Sequence, residues 1–197
     1  MKSSILSLSA SATFVLAGVA LALGPVSAPA AGVQSSETQV VRDVARGGYL
    51  VKIMGCNDCH TPFRLGPNGP EPDMSRMLSG HPQLLVMPPA PDLGAGPWLF
   101  AGSATNTAWA GPWGISYTAN LTPDAKTGIG KWTEEMFIGA MRTGKQMGNG
   151  RPILPPMPWP WYAQMNDDDL KSIFLYLKSI PAIDNAVPPP VIAPPPG

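Results

Sequence analysis

The stretch that decides the fold is Cys56-Asn57-Asp58-Cys59-His60, and it contains both cysteines of the 197-residue chain. Two thiols three positions apart can each add to one vinyl group of the same porphyrin. The histidine that follows can place its imidazole beneath the ring, on the iron. The five residues therefore predict covalent attachment of one haem at Cys56 and Cys59, with His60 as the first axial ligand.

Other interpretations of the two cysteines need features that this sequence lacks. A thioredoxin-like redox pair requires a βαβ setting, and no such pattern surrounds these residues. A zinc site requires two further ligands, but there are no other cysteines and His81 is the only other histidine. A structural disulfide would leave His60 unexplained. Haem attachment is therefore the favoured interpretation.

The first thirty residues have the composition of an export signal. Lys2 supplies a positive start, residues 5–23 form an apolar stretch, and Ala28-Pro29-Ala30 offers a small-residue cleavage site. We predict a cleaved signal peptide over residues 1–30 and a periplasmic mature protein. The alternative is an uncleaved N-terminus in which residues 5–23 anchor the chain to a membrane, although the stretch is short and contains several Ser and Thr.

The N-terminal part of the folded domain is predicted to be helical. Ser36-Glu37-Thr38-Gln39 fits a capping box, and apolar residues follow it at helical spacing. These signals predict a helix over about 37–54, which Gly55 ends. Residues 31–36 before it are expected to form a linker. Gly47-Gly48 lowers the intrinsic stability of this helix, which is acceptable where a second helix crosses closely.

Two further helices are predicted towards the C-terminus. One is expected over about 133–143, with Thr133 as its cap and Gly144 as its stop. Asn166 can cap the other, whose first turn is acidic and whose apolar residues share one face. Pro181 ends that last helix.

The regions between and after the helices are rich in proline and glycine. Residues 61–131 have little helical periodicity, and a structureless loop of that length is uncommon inside a compact domain. This region is therefore expected either to wrap the haem or to contain a functional insertion, which we place at residues 64–112. Residues 114–121 are a candidate short strand. The Pro-rich tail, residues 184–197, is expected to be extended and disordered. The folded domain is therefore expected over residues 37–183.

A second axial ligand is predicted in the proline-rich loop before the last helix. Met157 lies in Arg151-Pro-Ile-Leu-Pro-Pro-Met-Pro-Trp-Pro160, where prolines on both sides fix the backbone. Such a loop can hold a weak, soft ligand such as a thioether at a fixed distance from iron. Met147 and His81 are alternative ligands, and the ordinary expectation for His81 is a solvent-exposed position in a loop.

Three neighbouring stretches carry a family resemblance: Asn120-Leu-Thr-Pro-Asp124, Thr127-Gly-Ile-Gly-Lys-Trp132 and Thr133-Glu-Glu-Met-Phe137. Together with the attachment motif, they resemble bacterial class I mono-haem c-type cytochromes. They are also similar to the cytochrome c modules of membrane-linked sugar and alcohol dehydrogenases, whose cytochrome subunits commonly carry three haem motifs where this chain has one. The resemblance covers roughly residues 40–63 and 113–180, and residues 64–112 match nothing in it.

This resemblance implies a mostly α, class I cytochrome c-like fold of three or more helices around one covalent haem. In that fold the first and last helices cross at a small residue beside an aromatic one. Gly47-Gly48 would then meet Phe174 or Tyr176. The family's distal ligand is a methionine in a proline-rich loop before the last helix, which agrees with Met157.

The resemblance also suggests which residues surround the haem. Asn120 and Trp132 have N–H donors suited to the haem propionates, while turn capping for Asn120 and core packing for Trp132 remain equal alternatives. Arg151 could pair with a propionate. The carbonyl of Pro62 could orient His60 through its ring N–H.

Charge and composition limit the partners. The chain has 13 basic and 13 acidic side chains and no basic patch, so nucleic acid is not an expected partner. Charged residues make up only 13% of the chain, so docking is expected to rely more on apolar contact than on electrostatic steering. A membrane surface could be met through partners or through an uncleaved N-terminus.

The expected function is electron transfer rather than catalysis. An exported mono-haem cytochrome c would carry single electrons from a donor dehydrogenase to an acceptor oxidase or another cytochrome. The first alternative is an electron-transfer subunit held in a dehydrogenase or oxidase complex, with residues 64–112 or the tail as docking surface. A haem enzyme such as a peroxidase is the second alternative, and it requires an open sixth position on the iron.

Overall fold

The computed structural model describes residues 34–94 and 96–193, so the predicted signal peptide lies outside the described residues. Within the described part, no helix is both long and apolar enough to span a bilayer. The same part contains five α-helices, α1 (Gln34–Ile53), α2 (Cys56–His60), α3 (Glu134–Thr143), α4 (Trp159–Tyr162) and α5 (Asp167–Ser179). It also contains six short strands, β1 (Phe63–Gly66), β2 (Gly69–Pro72), β3 (Ala101–Gly102), β4 (Ala108–Gly111), β5 (Gly114–Tyr117) and β6 (Val191–Ile192).

The caps predicted for the two C-terminal helices are confirmed. The Thr133 hydroxyl accepts from the backbone N–H of Met136 at 3.3 Å, and Gly144 ends α3 in the left-handed region. The Asn166 side chain accepts from the N–H of Asp169 at 2.7 Å at the start of α5. These caps are local in sequence, which is why the pattern alone was sufficient to predict them.

The first helix begins earlier than its capping-box pattern predicted. α1 starts at Gln34, so Ser36 lies inside the helix and the expected linker over 31–36 is helical in its last three residues. The helix still ends beside Gly55, as predicted, and Gly55 adopts a left-handed conformation with φ of 70°.

α1 and α5 cross in direct backbone contact. A Cβ atom on Gly47 would lie 1.8 Å from the carbonyl oxygen of Ser172, and one on Gly48 would lie 2.9 Å from the ring of Tyr176. The predicted close crossing is therefore confirmed, with Tyr176 as the aromatic partner. Phe174 instead packs in the core against Phe137, with ring centroids 5.5 Å apart.

The apolar core joins the three longer helices to three positions outside them. Its buried members come from α1, α3 and α5, from the loop residues Leu78 and Ile129, and from Ile180, which follows the last residue of α5. They form one continuous cluster from which water is excluded. These residues are Leu50, Val51, Leu78, Ile129, Phe137, Leu170, Ile173, Phe174, Leu177 and Ile180.

The expectation of a mostly α fold is met only in part, because residues 64–112 and their neighbours form antiparallel strands. β1 and β2 form a hairpin, and β3, β4, β5 and β6 follow one another in a four-stranded sheet. The candidate strand at 114–121 is confined to Gly114–Tyr117. Glycine and proline disfavour α-helices in this region, and the short runs between them form the hydrogen bonds that pair neighbouring strands.

The tail was expected to be disordered, but residues 184–193 are packed. Val191 and Ile192 pair with β5, because these two residues stand between prolines and keep their backbone N–H groups. Asn185 is 2% exposed and donates to the carbonyls of Ser79 and His81 at 2.7 and 2.9 Å. Residues 194–197 lie outside the described part.

The two adjacent glycines of α1 should respond differently to alanine. In Gly47→Ala the new methyl group meets backbone atoms that cannot move aside, so we expect a loss of about 3 kcal/mol in unfolding free energy. In Gly48→Ala it meets the outer edge of the Tyr176 ring, which can shift, and the gain in helix propensity of about 1 kcal/mol offsets the strain. Denaturant unfolding of both variants measures this; equal losses would contradict the proposed crossing.

Candidate haem site

The attachment motif forms its own short helix. α2 follows the left-handed turn at Gly55 and carries Cys56, Cys59 and His60. Residues three apart lie on the same face of a helical turn, so the two thiols are presented together. The backbone N–H of Asp58 donates to the Gly55 carbonyl at 3.0 Å, which joins the turn to the helix.

The two thiols are free and protonated. Burial raises the pKa of Cys56 to about 11 and also raises the pKa of Cys59. A redox-active pair requires the opposite, a lowered thiol pKa. Cys56 also packs against the apolar core, an environment that suits a thioether better than a thiolate. Among the described residues, no cluster of His, Cys, Asp and Glu could hold a metal ion.

His60 is oriented by a backbone carbonyl from a distant part of the chain. Its Nδ1 lies 2.8 Å from the carbonyl oxygen of Ala119. A carbonyl only accepts, so Nδ1 carries the proton and Nε2 keeps its lone pair for a metal. Burial lowers the pKa of His60, and the bond to Ala119 partly opposes that shift. The imidazole is therefore neutral, with its proton on Nδ1 and its lone pair on Nε2.

The suggestion that the Pro62 carbonyl orients His60 is wrong. That carbonyl accepts from the backbone N–H of Asp73 at 2.9 Å instead. The true acceptor, Ala119, lies 59 positions from His60. No side-chain signal in the sequence marks a backbone acceptor, so pattern analysis had no means of identifying it.

Asn120 follows the acceptor and is held entirely by protein groups. Its side-chain oxygen accepts from the N–H and the hydroxyl of Thr122, at 3.0 and 2.7 Å. Its amide donates to the Ile183 carbonyl at 2.8 Å and to the Thr127 hydroxyl at 3.2 Å. This is the turn-capping role weighed as an alternative, and it ties the acceptor segment to the chain beyond α5. Propionate contact by Asn120 stays a prediction.

The other two candidates for propionate contact occupy different surroundings. Trp132 is half-buried and packs against the edge of the core. Arg151 is exposed, and its guanidinium donates to the Pro152 carbonyl at 3.4 Å. Contact of either residue with a propionate also stays a prediction.

The loop that carries Met157 is fixed at both ends, and Met157 itself is half-buried. The Ser116 hydroxyl of β5 donates to the Pro155 carbonyl at 2.6 Å. On the other side α4 begins at Trp159, and Tyr162 at its end donates to the Met54 carbonyl at 3.0 Å.

Tyr162 also lies close to the attachment helix. Burial, and then the negative charges that Cys56, Cys59 and Asp58 would carry, raise the pKa of Tyr162 to about 12. Such coupling requires the phenol to lie near the thiols. Tyr162, five residues after Met157, therefore brings the chain back to α2.

The expectation that His81 is exposed is wrong. His81 is fully buried, with Nδ1 2.9 Å from the Thr107 hydroxyl and Nε2 2.9 Å from the Leu85 carbonyl. Both ring nitrogens are therefore engaged within the protein. Met147 is 43% exposed in a short 3₁₀ turn. Neither alternative matches Met157, which combines partial burial with a loop held at both ends.

Taken together, the paired thiols, the neutral imidazole and the apolar surroundings fit a covalently bound haem, the group that defines c-type cytochromes. No family model matches the chain. It is 28% identical over 157 residues to the cytochrome c subunit of the quinone-dependent alcohol dehydrogenase of Gluconobacter oxydans, a match that covers 80% of the chain and 25% of the relative.

Two further relatives are also cytochrome subunits of dehydrogenases. The chain is 30% identical over 158 residues to the gluconate 2-dehydrogenase cytochrome c subunit of Pantoea cypripedii, covering 80% of the chain and 27% of the relative. It is 29% identical over 134 residues to the fructose dehydrogenase cytochrome subunit of Gluconobacter japonicus, covering 68% and 20%. The chain is thus similar to cytochrome c modules of sugar and alcohol dehydrogenases, as its sequence pattern predicted, and it spans about a quarter of the length of these relatives.

The matches change the interpretation of residues 64–112. A continuous match of 157 residues leaves 40 residues of the chain outside it, so it must include residues 41–157. The segment that resembled nothing in the sequence pattern therefore lies inside the aligned region.

Proposed function

We propose that this chain is an exported mono-haem cytochrome c that passes single electrons between redox partners. Cys56 and Cys59 would bind the haem, and His60 and Met157 would ligate its iron. The orientation of His60 carries the proposal, because a buried neutral imidazole with its Nδ1–H donated to Ala119 offers Nε2 beside two protonated thiols. The names of the relatives, cytochrome subunits of dehydrogenases, support electron transfer over catalysis.

When bound, haem supplies a reversible one-electron iron couple. The residues of the chain attach and tune it. Each thiol would add across one vinyl double bond, with sulfur going to one carbon and the thiol hydrogen to the other, so attachment would need no oxidant. His60 would keep its proton on Nδ1, and the apolar side chains around Cys56 would limit the access of water to a bound haem.

Met157 decides between a carrier and an enzyme. A thioether on the sixth position leaves no site for a substrate or peroxide, and it raises the reduction potential. The anchors at Pro155 and Tyr162 fix both ends of the loop, which suits a weak ligand that must stay in place. A peroxidase-like function would need that position to be open.

The oxidised absorbance spectrum tests this assignment. Wild-type protein should give low-spin ferric haem with the weak red band of methionine–iron ligation. Met157→Ala should abolish that band and produce high-spin iron, because the variant removes the thioether from the loop that is anchored at Pro155 and Tyr162. Met147→Ala is the matched control and should leave the spectrum unchanged. High-spin iron in the wild type would contradict the carrier proposal, and a band that survives Met157→Ala would overturn the assignment of Met157 as the ligand.

A second candidate is a cytochrome subunit held in a dehydrogenase complex. Residues 77–123 contain one charged side chain, Asp92. Two runs of exposed apolar side chains lie within them, residues 84–86 and 98–100, which we call the apolar surface: Leu84 is 88% exposed, Val86 87% and Trp98 75%. Large exposed apolar side chains with little charge around them suit a lasting protein contact. The relatives are subunits by name, which favours the same candidate.

Purification from the native host under two salt conditions tests the complex. If the apolar surface binds a dehydrogenase subunit, the complex should survive about 1 M salt, where screening acts over roughly 3 Å. Leu84→Asp and Val86→Asp should release the cytochrome. Leu65→Asp changes an equally exposed leucine in the β1–β2 hairpin and should not release it. A chain that purifies without a dehydrogenase subunit under both salt conditions would favour the free carrier.

A further inference from the structure

The segment Leu78-Ser79-Gly80-His81, called here the 78–81 segment, has no part in the ligation proposed above, yet it touches the surroundings of His60 on two sides. The N–H of Gly80 donates to the His60 carbonyl at 2.8 Å. A Cβ on Gly80 would lie 2.5 Å from the Thr118 carbonyl oxygen and 2.7 Å from that of Ala119. Gly80 also has φ of +77°, so only glycine allows the chain to lie directly against the peptide that accepts from His60.

Backbone hydrogen bonds hold the 78–81 segment beside the acceptor segment. The N–H of His81 donates to the Thr118 carbonyl at 3.0 Å, and the N–H of Leu121 donates to the Leu78 carbonyl at 2.9 Å. These two bonds flank Ala119 on either side. The position of the Ala119 carbonyl is therefore set by contacts to the 78–81 segment as well as by the Asn120 side chain.

The side chain of His81 adds two further hydrogen bonds near the acceptor segment. Its Nε2 donates to the Leu85 carbonyl, so in the neutral ring Nδ1 accepts from the Thr107 hydroxyl. The Thr107 carbonyl in turn accepts from the N–H of Thr118 at 2.9 Å. His81 thus holds Thr118 in two ways, through its own N–H and through Thr107. The ring also packs on Tyr117, with centroids 4.7 Å apart.

We propose that His81 is a positioning residue for the axial ligand His60. It fixes Thr107 and the Thr118–Ala119 peptide, so that the Ala119 carbonyl keeps its hydrogen bond to His60. This inference rests on the proposed function, in which His60 ligates haem iron. A firm acceptor on Nδ1 makes the imidazole a stronger electron donor, which stabilises ferric iron. Loss of the His81 contacts should therefore raise the reduction potential.

A purely structural role for His81 predicts something different. A buried histidine that only satisfies its neighbours would lower stability when replaced, without moving the potential of the iron. The potential is therefore the readout that separates the two roles. Burial and the Arg76 charge lower the pKa of His81, which agrees with the neutral donor–acceptor ring found here.

The experiment measures the midpoint potential and the ferric EPR spectrum of four haem-loaded variants. His81→Phe keeps a ring and removes both side-chain hydrogen bonds, so reduction should become about tenfold more favourable, or ~59 mV. His81→Asn keeps an acceptor for the Thr107 hydroxyl and should restore most of the wild-type value. Thr107→Val removes that hydroxyl and should shift the potential in the same direction, while Thr107→Ser keeps it and should not.

Controls separate this inference from loss of stability and from the proposed function itself. Tyr176→Ala loosens the α1–α5 crossing and should lower the melting temperature without shifting the potential. Unchanged potentials in both His81→Phe and Thr107→Val would overturn the role of His81 alone. If His81→Phe does not load haem, the comparison of Thr107→Val with Thr107→Ser tests the role of His81 instead. Wild-type protein that lacks low-spin haem would overturn the proposed function, and this inference with it.

Discussion

The hydrogen bond from His60 Nδ1 to the Ala119 carbonyl is the contact on which the rest of the site depends. It joins the attachment helix to a segment 59 positions away and fixes which imidazole nitrogen is free. The acceptor in turn is held by the 78–81 segment and by Asn120. A ligand that is oriented in this way from several parts of the chain is difficult to displace without disturbing the fold.

The segment 64–112 is best understood as support for this contact. The Asn106 amide donates to the Asp58 carbonyl of α2 at 2.6 Å, and the Thr105 carbonyl accepts from the N–H of Phe63 at 2.9 Å. β4 of this segment pairs with β5, whose Ser116 anchors the Met157 loop. The matches to dehydrogenase cytochrome subunits also span this segment.

Sequence patterns predicted the features that depend on neighbouring residues. Thr133 and Asn166 cap helices because their side chains reach only three positions along the chain, and Gly47 marks the crossing because no other residue is small enough. The burial of His81 and the docking of Val191 were missed, because both depend on backbone groups distant in sequence. Ala119 carried no signal at all, since any residue offers a carbonyl. Sequence patterns therefore predict local features such as helix caps better than the distant backbone groups that orient a side chain.

NMR of the reduced, haem-loaded protein tests the central contact most directly, because low-spin ferrous haem is diamagnetic. If His60 donates to the Ala119 carbonyl, we expect a slowly exchanging Nδ1–H on His60 with nuclear Overhauser effects to Ala119 and Asn120. An Nδ1–H that exchanges rapidly with water, or one whose close neighbours are Pro62 and Asp73, would contradict it.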